Sequence, residues 1–294
     1  MSRSRAPVDS AAAEWPLLAR FIDFERRIGE RVAKRPFAAG FYEFLRFGMK
    51  QAWACLFGGL VVFLLIATYL FYPRDAALAR YDFLFLSMLA IQAGLILTRL
   101  ETADEAKVIL IYHVVGTAME IFKTAAGSWI YPEPSFFRIG GVPLFTGFMY
   151  ACIGSYLCRV WRLFDFRFSH HPPGWALIGV SLLIYVNFFA HHYIADVRVG
   201  LFAIVGVLFA RTSVYFKVWR VHRSMPLLLG LFLVAVFIWF SENIGTFTRT
   251  WLYPSQLQGW SMVSLAKLGS WFLLLIISYT LVTLVNRPKP FERT

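Results

Sequence analysis

The chain has 294 residues, of which 59% are hydrophobic and 16% charged, with a formal net charge of +12. Soluble domains carry roughly a quarter charged residues, and the mean hydropathy here is +0.60, so a soluble enzyme fold is excluded. The basic excess reads as membrane topology and not as nucleic-acid binding, because Lys and Arg collect on cytoplasmic segments beside anionic lipid.

Residues 1–50 form a basic leading region. Leu18, Phe21, Ile22, Ile28 and Val32 recur near helical spacing after Trp15, with Arg20, Arg26, Arg27 and Arg31 between them. This predicts one or two amphipathic helices at the cytoplasmic interface. The same face, residues 1–45, is a candidate docking surface for a protein partner. The first 50 residues lack a short apolar core, so no signal peptide is expected.

Eight apolar segments follow, near 51–72, 82–99, 107–127, 142–161, 174–194, 199–218, 226–246 and 261–285. Each approaches the roughly 20 residues that cross a bilayer as a helix. Pro and Gly cluster between them, as at Tyr72-Pro73 and Pro172-Pro173-Gly174. Cys55, Cys152 and Cys158 lie inside these blocks, which fits neither a disulfide framework nor a CxxC zinc site. With the N-terminus inside, 22 of the 29 Lys and Arg fall on cytoplasmic segments. Both termini, including the tail at 286–294, are therefore expected in the cytoplasm. The expected fold class is all-α: a polytopic transmembrane helical bundle of about eight spans.

A duplication organises these spans. Glu120-Ile-Phe-Lys-Thr124 and Trp129-Ile-Tyr131-Pro132 are matched by Glu242-Asn-Ile-Gly-Thr246 and Trp251-Leu-Tyr253-Pro254, at an offset of 122 throughout. Gly147 and Gly269 match at the same offset. We read two four-helix halves, 51–161 and 174–285. An even number of spans per half makes them parallel repeats about an axis along the membrane normal.

Ionisable groups inside spans are costly and mark candidate sites. His113, Glu120 and Lys123 share nearly one helical face, where Lys123 can pair with Glu120. Glu242 and Asn243 are the counterpart in the second half. Glu120, Glu242, Lys123 and His113 are thus candidate catalytic residues. Trp129, Tyr131, Trp251, Tyr253, Asn243 and Tyr150 are candidate substrate-binding residues. The four aromatic residues of the Trp-x-Tyr-Pro segments fall where a membrane aromatic belt is expected. Their repetition beside a Glu also suits an outer lid over the site. Tyr150 lies among Gly147, Ala151 and Gly154, which favours close helix packing. Gln92 and Ser155 are polar enough to line a cavity. Arg159 and Arg162, with Trp161, read as an inner anchor that snorkels to the interface. His191, His192 and Asp196 have metal-ligand chemistry, but adjacent histidines cannot share one helix face, so no metal site is expected.

Two resemblances rest on these motifs. The run Glu120 to Thr124, Gly127 to Glu133 and Val142 to Tyr150, with Phe47 to Gly58, resembles an uncharacterised bacterial membrane family, domain of unknown function 817. More distantly, an acidic residue, Gly-x-Trp-x-Tyr and a loop ending in Gly-x-Pro is similar to small helical lycopene cyclases and carotenoid hydratases. The first implies a multi-pass protein of the bacterial cytoplasmic membrane. The second implies proton-initiated chemistry on an isoprenoid. Here Pro143 is followed by Leu144, Phe145 and Thr146, where the cyclases carry two acidic residues.

Three functions follow as expectations. The first is an enzyme acting by acid–base chemistry on a lipid or isoprenoid at the repeat interface, needing no cofactor. The second is a proton-coupled transporter or permease, and the third a non-catalytic scaffold. The expected partners are membrane lipid and a hydrophobic small molecule.

Overall fold

The structure, a computed structural model, describes residues 18–32, 34–191 and 193–292. The start of the amphipathic segment at Trp15, and His192, lie outside the described residues.

Ten α-helices are formed among the described residues: α1 (Ala19–Val32), α2 (Pro36–Ala54), α3 (Leu56–Phe71), α4 (Arg80–Leu97), α5 (Ala103–Ala125), α6 (Phe145–Phe164), α7 (Gly174–Ala190), α8 (Arg198–Phe209), α9 (Leu227–Phe247) and α10 (Leu265–Val285). Local chemistry sets several ends. Thr102 accepts the Glu105 amide while the Glu105 carboxylate accepts the Thr102 amide, a reciprocal cap that starts α5. Gly127 follows the end of α5 with φ 70°, and Arg249 follows the end of α9 with φ 53°. Gly127 holds this left-handed turn without a Cβ penalty; Arg249 holds it at some cost.

Four helices, α4, α5, α9 and α10, are long and apolar enough to cross a membrane. The pair α2–α3 passes the same test of length and composition only when its two helices are taken together, and it is bent by 67° at the break. The expected twenty-residue apolar span 199–218 is corrected. α8 stops at Phe209, after 12 residues, which reach only about 18 Å against a hydrocarbon core of about 30 Å. Arg211 and Thr212 interrupt the apolar run, and β4 (Ser213–Lys217) follows. Thr212 Oγ1 donates to the His170 carbonyl at 3.0 Å, which turns the chain out of the helix. Val214, Tyr215 and Phe216 are β-branched or aromatic and suit a strand.

The connections gather at two opposite ends. At one end, β3 (Arg167–Ser169), β4, β5 (His222–Pro226) and β6 (Lys289–Pro290) form a sheet in the order β5-β4-β3-β6. The leading helices pack on it. Tyr42 meets the Trp219 ring, Glu43 pairs with Arg223 at 2.6 Å, and Lys50 Nζ donates to the Leu163 carbonyl at 2.7 Å. At the other end, a hairpin of β1 (Arg138–Ile139) and β2 (Val142–Pro143) is held by α4. The Asp82 carboxylate there accepts the amides of Phe136 and Phe137, both at 2.8 Å. Arg80 pairs with Glu133 at 2.7 Å, and Tyr81 donates to the Thr250 carbonyl at 2.9 Å. Between the ends, α6 packs on α5, α3 and α10, and α10 packs on α9 and α7.

Arg159 corrects a second expectation. It does not snorkel: its side chain is fully buried, as is that of Glu101, with which it pairs at 3.1 Å. Ser155 Oγ donates to the same carboxylate at 2.7 Å, and Gln92 donates to its other oxygen. Arg162 turns inward too, to Glu105 at 3.5 Å. Gln92 and Ser155 therefore serve an ion pair that locks α4, α5 and α6 at the sheet end. A buried pair broken on one side leaves an uncompensated charge. Arg159→Met should cost about 3–5 kcal/mol of stability, and the double change Arg159→Met with Glu101→Met should recover most of it. Thermal unfolding of the detergent-solubilised chain measures both. A single variant that melts with the wild type would show that the pair holds nothing together.

Candidate functional site

Glu120 lies one turn before the end of α5 and is buried. A carboxylate at that depth needs donors, and three aromatic side chains supply them. Trp129 Nε1 donates at 2.6 Å, Tyr150 donates from α6 at 2.7 Å, and Tyr131 donates through its hydroxyl. Glu242 on α9 is buried in a similar setting. Tyr253 donates to it, and Trp271 Nε1 donates from α10 at 2.7 Å. In both cases the Tyr stands eleven residues after the Glu.

The two donor sets also touch each other. The rings of Trp129 and Tyr253 meet edge to face at 6.1 Å, and those of Tyr150 and Trp271 lie 6.2 Å apart. Ile130 and Leu252 exchange backbone hydrogen bonds at 2.9 and 3.0 Å, which ties the two Trp-x-Tyr-Pro segments together. Burial and then the Glu120 carboxylate push the Tyr131 phenol well above its ordinary range. Burial and then Glu242 do the same to Tyr253. Both phenols thus stay protonated and act as donors.

Glycines make room for this packing. A Cβ on Gly116 would lie 2.6 Å from the Tyr150 ring, and one on Gly245 would lie 2.0 Å from the Trp251 ring. Trp251 accordingly lies over Gly245, while its counterpart Trp129 binds Glu120.

Both glutamates face a cavity of about 1360 Å³. It exceeds the roughly 300–1,000 Å³ of most small-molecule pockets. Trp129, Tyr150, Trp251 and Tyr253 line it with Lys267 and Trp271. From there its wall runs past Val61, Leu65, Leu231 and Val234 to Phe164, Phe168 and Phe216 at the sheet end. Exposed Leu233 and Phe237 also line it, so it opens sideways onto the apolar outer surface.

Not every expected residue joins the site. Lys123 does not pair with Glu120; its ammonium donates to the Phe188 carbonyl at 2.6 Å and lies 4.0 Å from the Phe188 ring centre. It still borders the cavity. His113 does not extend a stripe below Glu120. Tyr150 wedges against Gly116 between them, and His113 packs on Phe148 and Gly147 outside the cavity lining. Asn243 is a clamp: its amide donates to the Trp239 carbonyl at 2.8 Å and its oxygen accepts the Val263 amide at 2.9 Å. Asp196 pairs with Arg198 at 2.9 Å and accepts from Asn187. Among the described residues no group of His, Cys, Asp and Glu is arranged to hold a metal ion.

Lys267 and Trp271, both on α10, were not singled out by the sequence. Trp271 stands one residue from the position that the 122 offset assigns to Tyr150.

The family model described as "Protein of unknown function (DUF817)" matches residues 43–279. The chain belongs to this family. A relative in Bacillus subtilis (strain 168), the uncharacterized protein YoaT, is 40% identical over 247 residues, covering 84% of this chain and 93% of that protein. No solved structure matches. The apolar helices of this DUF817 protein suit a membrane protein.

Gly116→Ala should displace Tyr150 and cost about 1–3 kcal/mol, while Tyr150→Phe should cost about 1.5–3 kcal/mol through the lost hydrogen bond to a charged group. The double variant should cost less than the sum, since both act on one contact. Denaturant melts of the purified protein test this, and strict additivity would contradict it.

Proposed function

We propose that this DUF817 protein is a multi-pass enzyme of the bacterial cytoplasmic membrane, working on a lipid or isoprenoid by acid–base chemistry at Glu120 and Glu242. One observation carries the reading: two buried carboxylates face one end of a long, mainly apolar cavity. Apolar walls suit a hydrocarbon substrate. The sideways opening at Leu233 and Phe237 suits entry from the bilayer. A carboxyl group positioned in such a site can deliver or remove a proton at a substrate carbon or double bond. Trp129, Tyr131, Tyr150, Tyr253 and Trp271 hold the carboxylates in place. Lys123 acts through charge at the cavity border. His113 and Asn243 support the helices that carry the site.

The topology proposed with it has about eight passages, the short helix α8 counted among them, and both termini in the cytoplasm. The alternation of connections between two ends supports it, with the basic leading helices on the sheet side. The halves 51–161 and 174–285 are read as parallel repeats. That reading is supported by Ile130 pairing with Leu252, its own equivalent at the offset of 122.

A second reading is proton-coupled transport. It is favoured by a cavity wall that reaches from Phe164 at the sheet end to Trp129 at the other. A protein partner at residues 1–45 is a separate proposal, favoured by the exposed Phe37, Phe41 and Phe44.

Gentle purification followed by mass spectrometry should find a co-purifying lipid or isoprenoid. Glu120→Gln and Glu242→Gln should each lower its turnover by at least about a hundredfold while the molecule is retained. Unchanged turnover in both variants would sink the enzymatic reading. Flux across proteoliposomes that is lost in Glu120→Gln, without chemical change in the molecule, would establish transport instead.

A further inference from the structure

The Glu120 and Glu242 carboxylates are supplied with donors, but one charged group beside them is not supplied with an acceptor. Lys267 stands in the first turn of α10. Its ammonium lies over two rings, 4.4 Å from the centre of Tyr253 and 5.3 Å from that of Trp129. Among the described residues no carboxylate lies within ion-pair distance of it, and no oxygen accepts its hydrogens. It nevertheless borders the cavity, at the same end as both glutamates.

Three N–H donors on an ammonium are strongly hydrated in water. In a half-buried aromatic setting they are left short of partners, and that shortage is costly. The neighbouring anions do not remove it. Glu120 and Glu242 are turned towards Trp129, Tyr131, Tyr150, Tyr253 and Trp271. Asp196 is taken up by Arg198, which also borders the cavity. The polar end of the cavity thus presents a cation whose partner is to come from the ligand.

The rest of the cavity sets the shape of that ligand. Its lining on α9 runs from Leu227 to Glu242, and on α6 from Met149 to Phe164. Each stretch is fifteen steps of about 1.5 Å, or about 22 Å. Away from Lys267 the walls are mainly apolar, and the far end is lined by the rings of Trp161, Phe164, Phe168 and Phe216. A short or wholly polar ligand would leave this length unfilled.

Building on the cavity reading above, we propose that the ligand is an elongated acidic amphiphile, whose carboxylate or phosphate head is bound by Lys267 and whose tail of about 22 Å lies along α6 and α9 towards Phe164 and Phe168. The head supplies the acceptor oxygens that Lys267 lacks. The tail replaces lipid or water against apolar walls. Lys267 is a binding residue in this arrangement, and it places the adjoining carbons of the chain beside Glu242 and Glu120.

Fluorescent polyene amphiphiles test this directly, because Trp129, Trp251 and Trp271 line the cavity and can transfer energy to a bound polyene. The full-length protein in detergent is titrated with a long-chain conjugated polyene acid, with the corresponding alcohol, and with each in the Lys267→Gln variant. The acid should bind wild type more tightly than the alcohol by about ten- to a hundredfold, the range for a charge-assisted hydrogen bond. In Lys267→Gln the acid should lose that advantage, while alcohol binding stays as in wild type and reports an intact cavity. Lys267→Arg should keep most of the preference. A long-chain alkyl phosphate should displace the polyene acid, and inorganic phosphate should not. Equal binding of acid and alcohol to wild type, or an undiminished preference in Lys267→Gln, overturns the headgroup assignment and leaves the cavity reading standing. Displacement by inorganic phosphate at the concentration of the alkyl phosphate overturns the amphiphile. Failure of every amphiphile to bind wild type overturns both the cavity reading and the headgroup assignment.

Discussion

A carboxylate taken out of water must be given donors, and this chain takes two out of water side by side. That constraint organises one whole end of the molecule. Glu120 and Glu242 come from different helices, and their donors come from two more helices and two loops. Trp129, which serves Glu120, meets the Tyr that serves Glu242 edge to face, and Tyr150, which also serves Glu120, lies against the Trp that serves Glu242. Neither carboxylate can be satisfied unless α5, α6, α9 and α10 are docked. The glycines at 116 and 245 matter for the same reason, since each clears the volume of one aromatic ring. The loop anchors at Arg80, Tyr81 and Asp82 then hold the segments that carry the Trp and Tyr donors.

The opposite end solves the same problem with different chemistry. Glu101 is as deeply buried as Glu120, but a cation neutralises it. Arg159 contributes a full charge and a fork of donors, with Ser155 and Gln92 completing the shell. This pair lies outside the cavity lining. The aromatic donors at Glu120 and Glu242 bring no positive charge, and the nearby Lys267 is turned over rings instead of paired. The two ends thus divide into a closed electrostatic lock and a cluster that borders the cavity.

These features differ in how far they can be read from sequence, and the difference is physical. The Tyr of each motif stands eleven residues after its Glu, so one helix end and its loop bring the two together. Their repetition at one offset made them visible. The α5 stripe was a poorer guide. Periodicity placed His113 and Lys123 on one face with Glu120, but it carries no information about the helix packed there. Tyr150 entering at Gly116 divides that face, and Lys123 reaches the neighbouring α7 instead. Lys267 and Trp271 meet their partners only through tertiary docking, with no local pattern to mark them. The segment at 213–217 was apolar enough to pass for the end of a span. Its strand identity depends on partners at 167–169 and 222–226, of which the first is distant in sequence.

The two glutamates are alike in origin on the repeat reading, yet they are not equivalent. A carboxylate offers about four lone-pair directions. At Glu120 three are engaged by Trp129, Tyr131 and Tyr150. At Glu242 two are engaged, because Trp251 lies over Gly245 instead of reaching the acid. The vacancy is the direct result of one ring's placement. It leaves Glu242 the freer of the two to accept a donor from whatever occupies the cavity, with Lys267 on the same side. Glu120, with three of its four directions engaged, is the more firmly held of the two. Trp129 thus gives Glu120 a third donor that Trp251 does not give Glu242, and that one ring leaves Glu242 the more open of the two carboxylates to the cavity.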